Sequence, residues 1–304
     1  MVAIDCSIPM DWENLMSAIE KMSSQYNFLT VSELGRSILG KSIPMLQIGN
    51  GKRSVLYVGS HHGMEWITSM ILLNYADELC HAYQQRKQLF RHSIPLLLEQ
   101  YTLVVIPMLN PDGVDYQIHG ISQENPLYER LLSMNNGSND FSNWQANARG
   151  VDLNHNYNAG FREYKQIEAE RGIPCGAPTR YSGQEPESEP EVRALCDCIR
   201  FQKDLRLVIS LHTQGEEIIC KSQGAMVSGT QFAMDHLSAI TGYPITDATG
   251  LASYGGLTDW CIIKQQIPAA TIECGKGVNP LPITDFSSIY NRLREALFVA
   301  PTLF

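Results

Sequence analysis

The chain lacks the features that mark several large classes of protein. No run approaches the roughly 18 consecutive apolar residues needed to span a bilayer, so a membrane partner is not expected. Met1-Val2-Ala3-Ile4-Asp5-Cys6 has no basic start followed by an apolar core, and an ordinary export signal is not expected either. Lys and Arg are spread thinly, with no cluster long enough to form a basic patch. The formal net charge of -9 argues against nucleic-acid binding and against docking on anionic lipid. The 8 cysteines (Cys6, Cys80, Cys175, Cys196, Cys198, Cys220, Cys261, Cys274) are scattered over 304 residues. A secreted disulfide scaffold is shorter and denser in Cys. Cys196-Asp197-Cys198 has no second pair nearby and reads as helix residues with reduced thiols. The expected location is cytoplasmic. Internal repeats, low-complexity tracts and linkers are also missing, so one domain over residues 1–304 is expected.

What is present is a core. The hydrophobic fraction is 44%, ordinary for a folded enzyme-sized domain. Buried-strand runs occur at 54–58, 101–107, 205–211 and 268–272, and half-buried ones at 28–34 and 43–48 with a Gly40-Lys41 turn between them. Helical spacing marks 11–24, 64–88, 187–201, 231–240, 255–265 and 285–298. Asn110-Pro111-Asp112-Gly113 reads as a turn, and residues 116–149, polar and rich in Asn, Ser and Gly, read as a long irregular excursion. Strands alternating with helices predict an α/β fold: a mixed, twisted central sheet with helices on both faces.

Three of these strands end in, or lead into, polar side chains that are the natural raw material for a site. The run 54–58 leads into Gly59-Ser60-His61-His62-Gly63-Met64-Glu65-Trp66, the run 205–211 into His212, and the run 268–272 into Glu273. The carboxyl ends of strands line the ligand crevice of open α/β sheets. A His and a Glu three apart, where a strand gives way to a helix, can aim at one point. Zinc accepts imidazole nitrogen and carboxylate oxygen, and catalytic sites commonly use two His and one Glu with a position left for water.

In order along the chain stand His62-Gly63-Met64-Glu65, Asn110-Pro111-Asp112-Gly113, Arg149-Gly150-Val151-Asp152-Leu153-Asn154, Ser188-Glu189-Pro190-Glu191, Ser210-Leu211-His212, Tyr254-Gly255-Gly256-Leu257-Thr258-Asp259-Trp260 and Thr271-Ile272-Glu273. This ordered set resembles the zinc carboxypeptidase-fold metallopeptidases from about residue 27 onward. The resemblance implies one Zn2+ per chain, held by His62, Glu65 and His212. It implies Asp152 behind the first His, Glu273 as general base and Arg149 as the group that stabilises the oxyanion.

Two departures separate the chain from digestive carboxypeptidases. Those enzymes carry Asn-Arg where Asn154-His155 stands, and His cannot offer the guanidinium fork that grips a terminal carboxylate. They also carry a Tyr three to five residues ahead of the Gly pair, where this chain has Leu251, with Tyr254 directly before the pair. The run Glu273-Cys274-Gly275-Lys276-Gly277-Val278-Asn279-Pro280-Leu281-Pro282 and the run Asp152-Leu153-Asn154-His155-Asn156-Tyr157 resemble a second branch, the bacterial γ-D-glutamyl-diamino acid peptidases. That likeness implies hydrolysis of the bond between γ-D-Glu and meso-diaminopimelate in a small peptidoglycan stem peptide (muropeptide). Asn154, His155, Tyr254 and Lys276 are the expected substrate contacts. A zinc carboxypeptidase or small-amino-acid deacylase with other substrates is the alternative, and a non-catalytic peptide binder a third reading. The oligomeric state is left open.

Overall fold

A computed structural model describes residues 4–304; Met1, Val2 and Ala3, part of the stretch read above for an export signal, lie outside the described residues. Among the described residues ten strands form in chain order: β1 (Thr30–Arg36), β2 (Ser42–Ile48), β3 (Arg53–Val58), β4 (Gln88–Leu89), β5 (His92–Ser93), β6 (Tyr101–Ile106), β7 (Leu205–His212), β8 (Glu217–Ile219), β9 (Ile245–Thr246) and β10 (Ala269–Glu273). Eight of them make one sheet in the order β1-β2-β6-β3-β7-β10-β8-β9, and β4 pairs with β5 in a separate hairpin. The centre, β6-β3-β7-β10, is parallel, and antiparallel pairs flank it on both sides. This is the mixed sheet that the alternation of elements predicts.

Apolar side chains on both faces of the central strands explain why the sheet is covered twice. Val55 and Tyr57 of β3 face a core built with the helices Trp12–Gln25, Ile67–Gln84, Thr230–Thr241 and Phe286–Val299. The alternate residues Leu56 and Val58 face a second core with the helices Pro190–Phe201 and Leu257–Trp260. Period-two alternation therefore assigns each residue of a strand to one layer or the other. From β3 the chain moves to β6 on one side and later to β7 on the other. At such a switch point the carboxyl ends of the strands open onto a crevice, and residues that follow β3 and β7 line it.

Several elements differ from the sequence-based expectation. The helix expected over 64–88 begins as a single tight turn, Gly63–Glu65, followed by Ile67–Gln84. Asn110-Pro111-Asp112-Gly113 is not an isolated turn but the start of the helix Pro111–His119. Asn110 caps it by accepting the Gly113 amide at 3.0 Å, with Pro at the first helical position. The same residue types favour turns and helix starts, so composition alone does not separate them. The excursion over 116–149 carries the short helix Tyr128–Met134 and a small aromatic core around Tyr116, Phe141 and Trp144. The helix Phe161–Glu170 and the short strands β8 and β9 were not expected. All eight cysteines are free thiols, with Cys196 and Cys198 in the helix Pro190–Phe201. No described helix is long and apolar enough to cross a membrane.

Candidate active site

His62 leaves β3 in an extended conformation and caps the turn Gly63–Glu65, which folds Glu65 back onto it. Glu65 Oε1 lies 2.8 Å from His62 Nδ1. The turn fits because Gly63 has no side chain: a Cβ there would stand 2.3 Å from the Gly113 carbonyl oxygen and 2.8 Å from that of Trp144. Asn110 fastens the same junction from below, donating to the carbonyls of His61 at 3.1 Å and Ala146 at 3.2 Å. The Asn110–Gly113 motif thus buttresses the His62–Glu65 turn.

His212, the last residue of β7, completes the cluster. Its Nδ1 lies 3.0 Å from Glu65 Oε2 and 3.3 Å from His62 Nδ1. All three side chains are buried, and their ligand atoms lie within 4.8 Å of one another. Ligand distances of ~2.0–2.2 Å in a tetrahedral zinc site place donor atoms ~3.3–3.6 Å apart. The donor set matches that size. Each imidazole turns its other nitrogen to a buried partner: His62 Nε2 to Asp152 Oδ1 at 3.1 Å, and His212 Nε2 to the Ser210 hydroxyl at 3.0 Å. Such partners fix ring orientation and tautomer.

The electrostatics favour a cation at this point. Burial alone would raise the Glu65 carboxyl, but His62 and His212 hold it down at about 2. Burial would lower His62, yet Glu65 and Asp152 together hold it well above its ordinary value. Asp152 is held well below the usual carboxylate range, again against burial, by His62 and His155. Its second oxygen accepts the Arg180 amide at 3.0 Å. His61, unremarked in the sequence beyond its place in the motif, stacks on His212 with ring centroids 5.2 Å apart and bonds Tyr157 Oη through Nε2 at 2.9 Å. Burial, then His212 and His62, push its pKa well down. It packs behind the donor set rather than joining it.

Glu273 closes β10 directly opposite His212 in the parallel register, and on its other side it stands opposite Glu217 of β8. Residues paired in register share a face, so His212, Glu273 and Glu217 form a row across three adjacent strands. Burial, then Glu65 and Glu217, push the Glu273 carboxyl well above its usual value, with His62 opposing.

These residues lie in a cleft of about 480 Å³. Of the expected contacts, His62, Glu65, Asp152, Asn154, His155 and Glu273 line it, and His212 supplies its donor from the buried floor. Three others are elsewhere. The Arg149 guanidinium is half exposed and 3.7 Å from Glu189, outside the cleft lining. Lys276 is 75% exposed and pairs with Glu216 at 2.9 Å. Tyr254, in a left-handed backbone conformation, packs over Gly160 and lines an adjoining chamber. Each is a sequence neighbour of a cleft residue whose side chain takes another direction. His155 is also committed: it stacks on Tyr164 at 3.9 Å, its Nδ1 bonds the Tyr254 carbonyl at 2.9 Å, and burial lowers its pKa. In their place the cleft presents Gln145, Arg180, Glu217 and Lys221. No sequence signal marks these four, since each sits in a loop or a three-residue strand.

Comparison with known proteins decides the family. A profile described as zinc carboxypeptidase matches residues 15–295. The chain belongs to the zinc carboxypeptidase family. Members of this family are zinc metallopeptidases, and so is this chain. It is 35% identical over 288 residues to gamma-D-glutamyl-L-diamino acid endopeptidase 1 of Lysinibacillus sphaericus, a match covering 94% of this chain and 70% of that protein. In structure it resembles the carboxypeptidase A of Helicoverpa armigera (TM-score 0.73, 17% identity, 98% of this chain and 74% of that one). It also resembles the murein-tripeptide amidase MpaA of Escherichia coli O157 (TM-score 0.52, 20% identity, 89% of this chain and 91% of that one). At these identities the two structures speak for the fold of the zinc carboxypeptidase.

Proposed function

We propose that this zinc peptidase hydrolyses the bond between γ-D-glutamate and a diamino acid, meso-diaminopimelate, in small peptidoglycan stem peptides. The bond assignment is supported by the 35% identity to an endopeptidase of that name over nearly the whole chain. The chemistry rests on one geometric observation: a carboxylate, Glu273, stands in register with His212 beside a buried His-Glu-His donor set of zinc size.

His62 Nδ1, His212 Nδ1 and Glu65 would hold the ion, and Asp152 and Ser210 orient the two rings from behind. Zinc held there supplies a Lewis acid and brings the pKa of a water towards neutrality. Glu273 takes the proton of the attacking water and returns it to the leaving nitrogen. Arg180 and Gln145 share the side of the cleft next to His62: the Gln145 carbonyl accepts the Gly63 amide at 2.9 Å, and the Arg180 amide is on Asp152. The cationic part expected of Arg149 passes to Arg180, which stabilises negative charge as it grows on the carbonyl oxygen. Arg149 instead pairs with Glu189.

The test is incubation of the zinc-loaded enzyme with L-Ala-γ-D-Glu-meso-diaminopimelate, alone and extended by D-Ala, with products read by mass. Release of diaminopimelate or its D-Ala dipeptide is expected. Intact γ-D-glutamyl peptides beside cleaved blocked L-peptides would instead identify an ordinary carboxypeptidase or deacylase. Action inside the cell, on soluble muropeptides, belongs to the same proposal.

A further inference from the structure

Side chains along β8 alternate between core and cleft, and the alternation continues past the end of the strand. Ile218 and Cys220 are buried in the core, whereas Glu217, Ile219 and Lys221 line the cleft. The register places this row: Glu217 is opposite Glu273, and Ile219 is opposite Thr271. The row therefore starts beside the reacting groups and runs inward, presenting a carboxylate, an apolar side chain and an ammonium in turn. At ~3.3 Å per residue, Lys221 lies ~13 Å from Glu217 along the chain and ~7 Å beyond Ile219.

The inner end carries both signs of charge. Lys221 and Asp259 line the cleft and also the adjoining chamber, of about 200 Å³. Asp259 Oδ2 accepts the Gly256 amide at 3.2 Å and the Ser222 hydroxyl also serves the carboxylate, which still leaves lone pairs of its two oxygens free. Lys221 Nζ is 3.7 Å from Asp247, a mostly exposed side chain that water can serve equally well. Between this end and Glu273 the wall is short and mildly apolar: Ile219, Ala248, Leu251, and the hydroxyls of Thr258 and Thr271, bonded to each other at 2.8 Å. An apolar substrate side chain needs neither charge and a simple basic one needs only an acid. A side chain that ends in both an ammonium and a carboxylate uses both.

We propose that Lys221 and Asp259 are the specificity residues for a zwitterionic side chain on the leaving side of the scissile bond. Lys221 takes the distal carboxylate and Asp259 the distal ammonium. The inference rests on the peptidase reading above and adds Lys221 as the residue that tells diaminopimelate from lysine, with Asp259 holding the ammonium that both share.

The experiment compares zinc-loaded wild type and Lys221→Met on L-Ala-γ-D-Glu-meso-diaminopimelate and on L-Ala-γ-D-Glu-L-Lys, which lacks the distal carboxylate. Wild type should prefer the first peptide. Lys221→Met should lower kcat/KM on it by ~30-fold or more, mainly through KM, and change the lysine peptide by no more than about two-fold. Lys221→Arg should keep most of the preference, and Asp259→Asn should weaken both peptides. A wild type indifferent to the two peptides, or a Lys221→Met loss equal on both, overturns the inference. If Lys221→Met fails to fold by thermal melting, Lys221→Arg and Lys221→Gln decide: a preference the same in both variants overturns it. If wild type cleaves only blocked L-peptides, the γ-D-glutamyl reading falls. The same pair of end residues on those peptides then reads the pocket separately, and no preference there overturns the inference.

Discussion

Asp152 Oδ1 lies 3.1 Å from Nε2 of His62, while the other nitrogen of that ring faces Glu65 and His212. The carboxylate fixes which nitrogen of His62 carries the proton and which is free to donate a lone pair. We predict that Asp152→Asn weakens zinc binding by about ten- to hundred-fold and leaves the fold intact. Competition with a chromophoric chelator measures this. Unchanged affinity would mean that Asp152 only closes its loop.

Gly63 is predicted to be intolerant of even one methyl. The added Cβ would meet the carbonyls of Gly113 and Trp144, both backbone, so neither can swing away. Gly63→Ala should displace the turn that returns Glu65 to His62, and bound zinc per chain should fall well below that of wild type. Full metal content with an unaltered melting curve would refute this account of the turn.

Metal removal is expected to cost stability, because the three donors come from segments up to 150 residues apart and meet only in the folded chain. Zinc at 100 times its dissociation constant should stabilise by about 2.7 kcal/mol, raising the melting temperature, and chelation should reverse the gain. A melting curve indifferent to zinc and chelator would contradict the assignment.

A pH dependence follows from Glu191, buried at the start of the helix Pro190–Phe201. Burial, then Glu189 and Asp112, raise its carboxyl from 4.5 to about 8. Its folded-state pKa exceeds its unfolded one, so between these values the folded chain holds a proton that the unfolded chain releases. Its contribution to stability is complete below about pH 4.5 and is lost as pH rises towards 8. Glu191→Gln should remove that slope, making the variant more stable than wild type at pH 8 by on the order of 5 kcal/mol, since each pH unit between the two values costs ~1.4 kcal/mol. Urea unfolding at pH 5.5 and 8.5 measures it; parallel slopes in the two proteins would rule it out.

His62, Glu65, His212 and Glu273 stand out in the sequence because each terminates a strand or its following turn, and buried strands announce themselves as local apolar runs. The rule that strand ends line the crevice marks His212 and Glu273 as candidates, and the family resemblance supplies the roles expected of them. The walls of the cleft were not legible for the opposite reason. Arg180 sits in a loop with left-handed backbone, Gln145 follows a Trp in an irregular stretch, and Lys221 extends a strand of three residues. Arg149 and Lys276 are close in sequence to cleft residues, yet their long side chains pair with acids outside the cleft lining. The helix Phe161–Glu170 carries little apolar signal, because most of its residues are polar and only Phe161, Tyr164 and Glu168 are buried.

On the proposed mechanism Glu273 moves the protons while His62, Glu65 and His212 hold the metal. Turnover of Glu273→Gln, measured per bound zinc on L-Ala-γ-D-Glu-meso-diaminopimelate, tests it most directly. Full zinc occupancy with kcat reduced by about 10²–10⁴-fold is predicted. Full occupancy with kcat unchanged would contradict it.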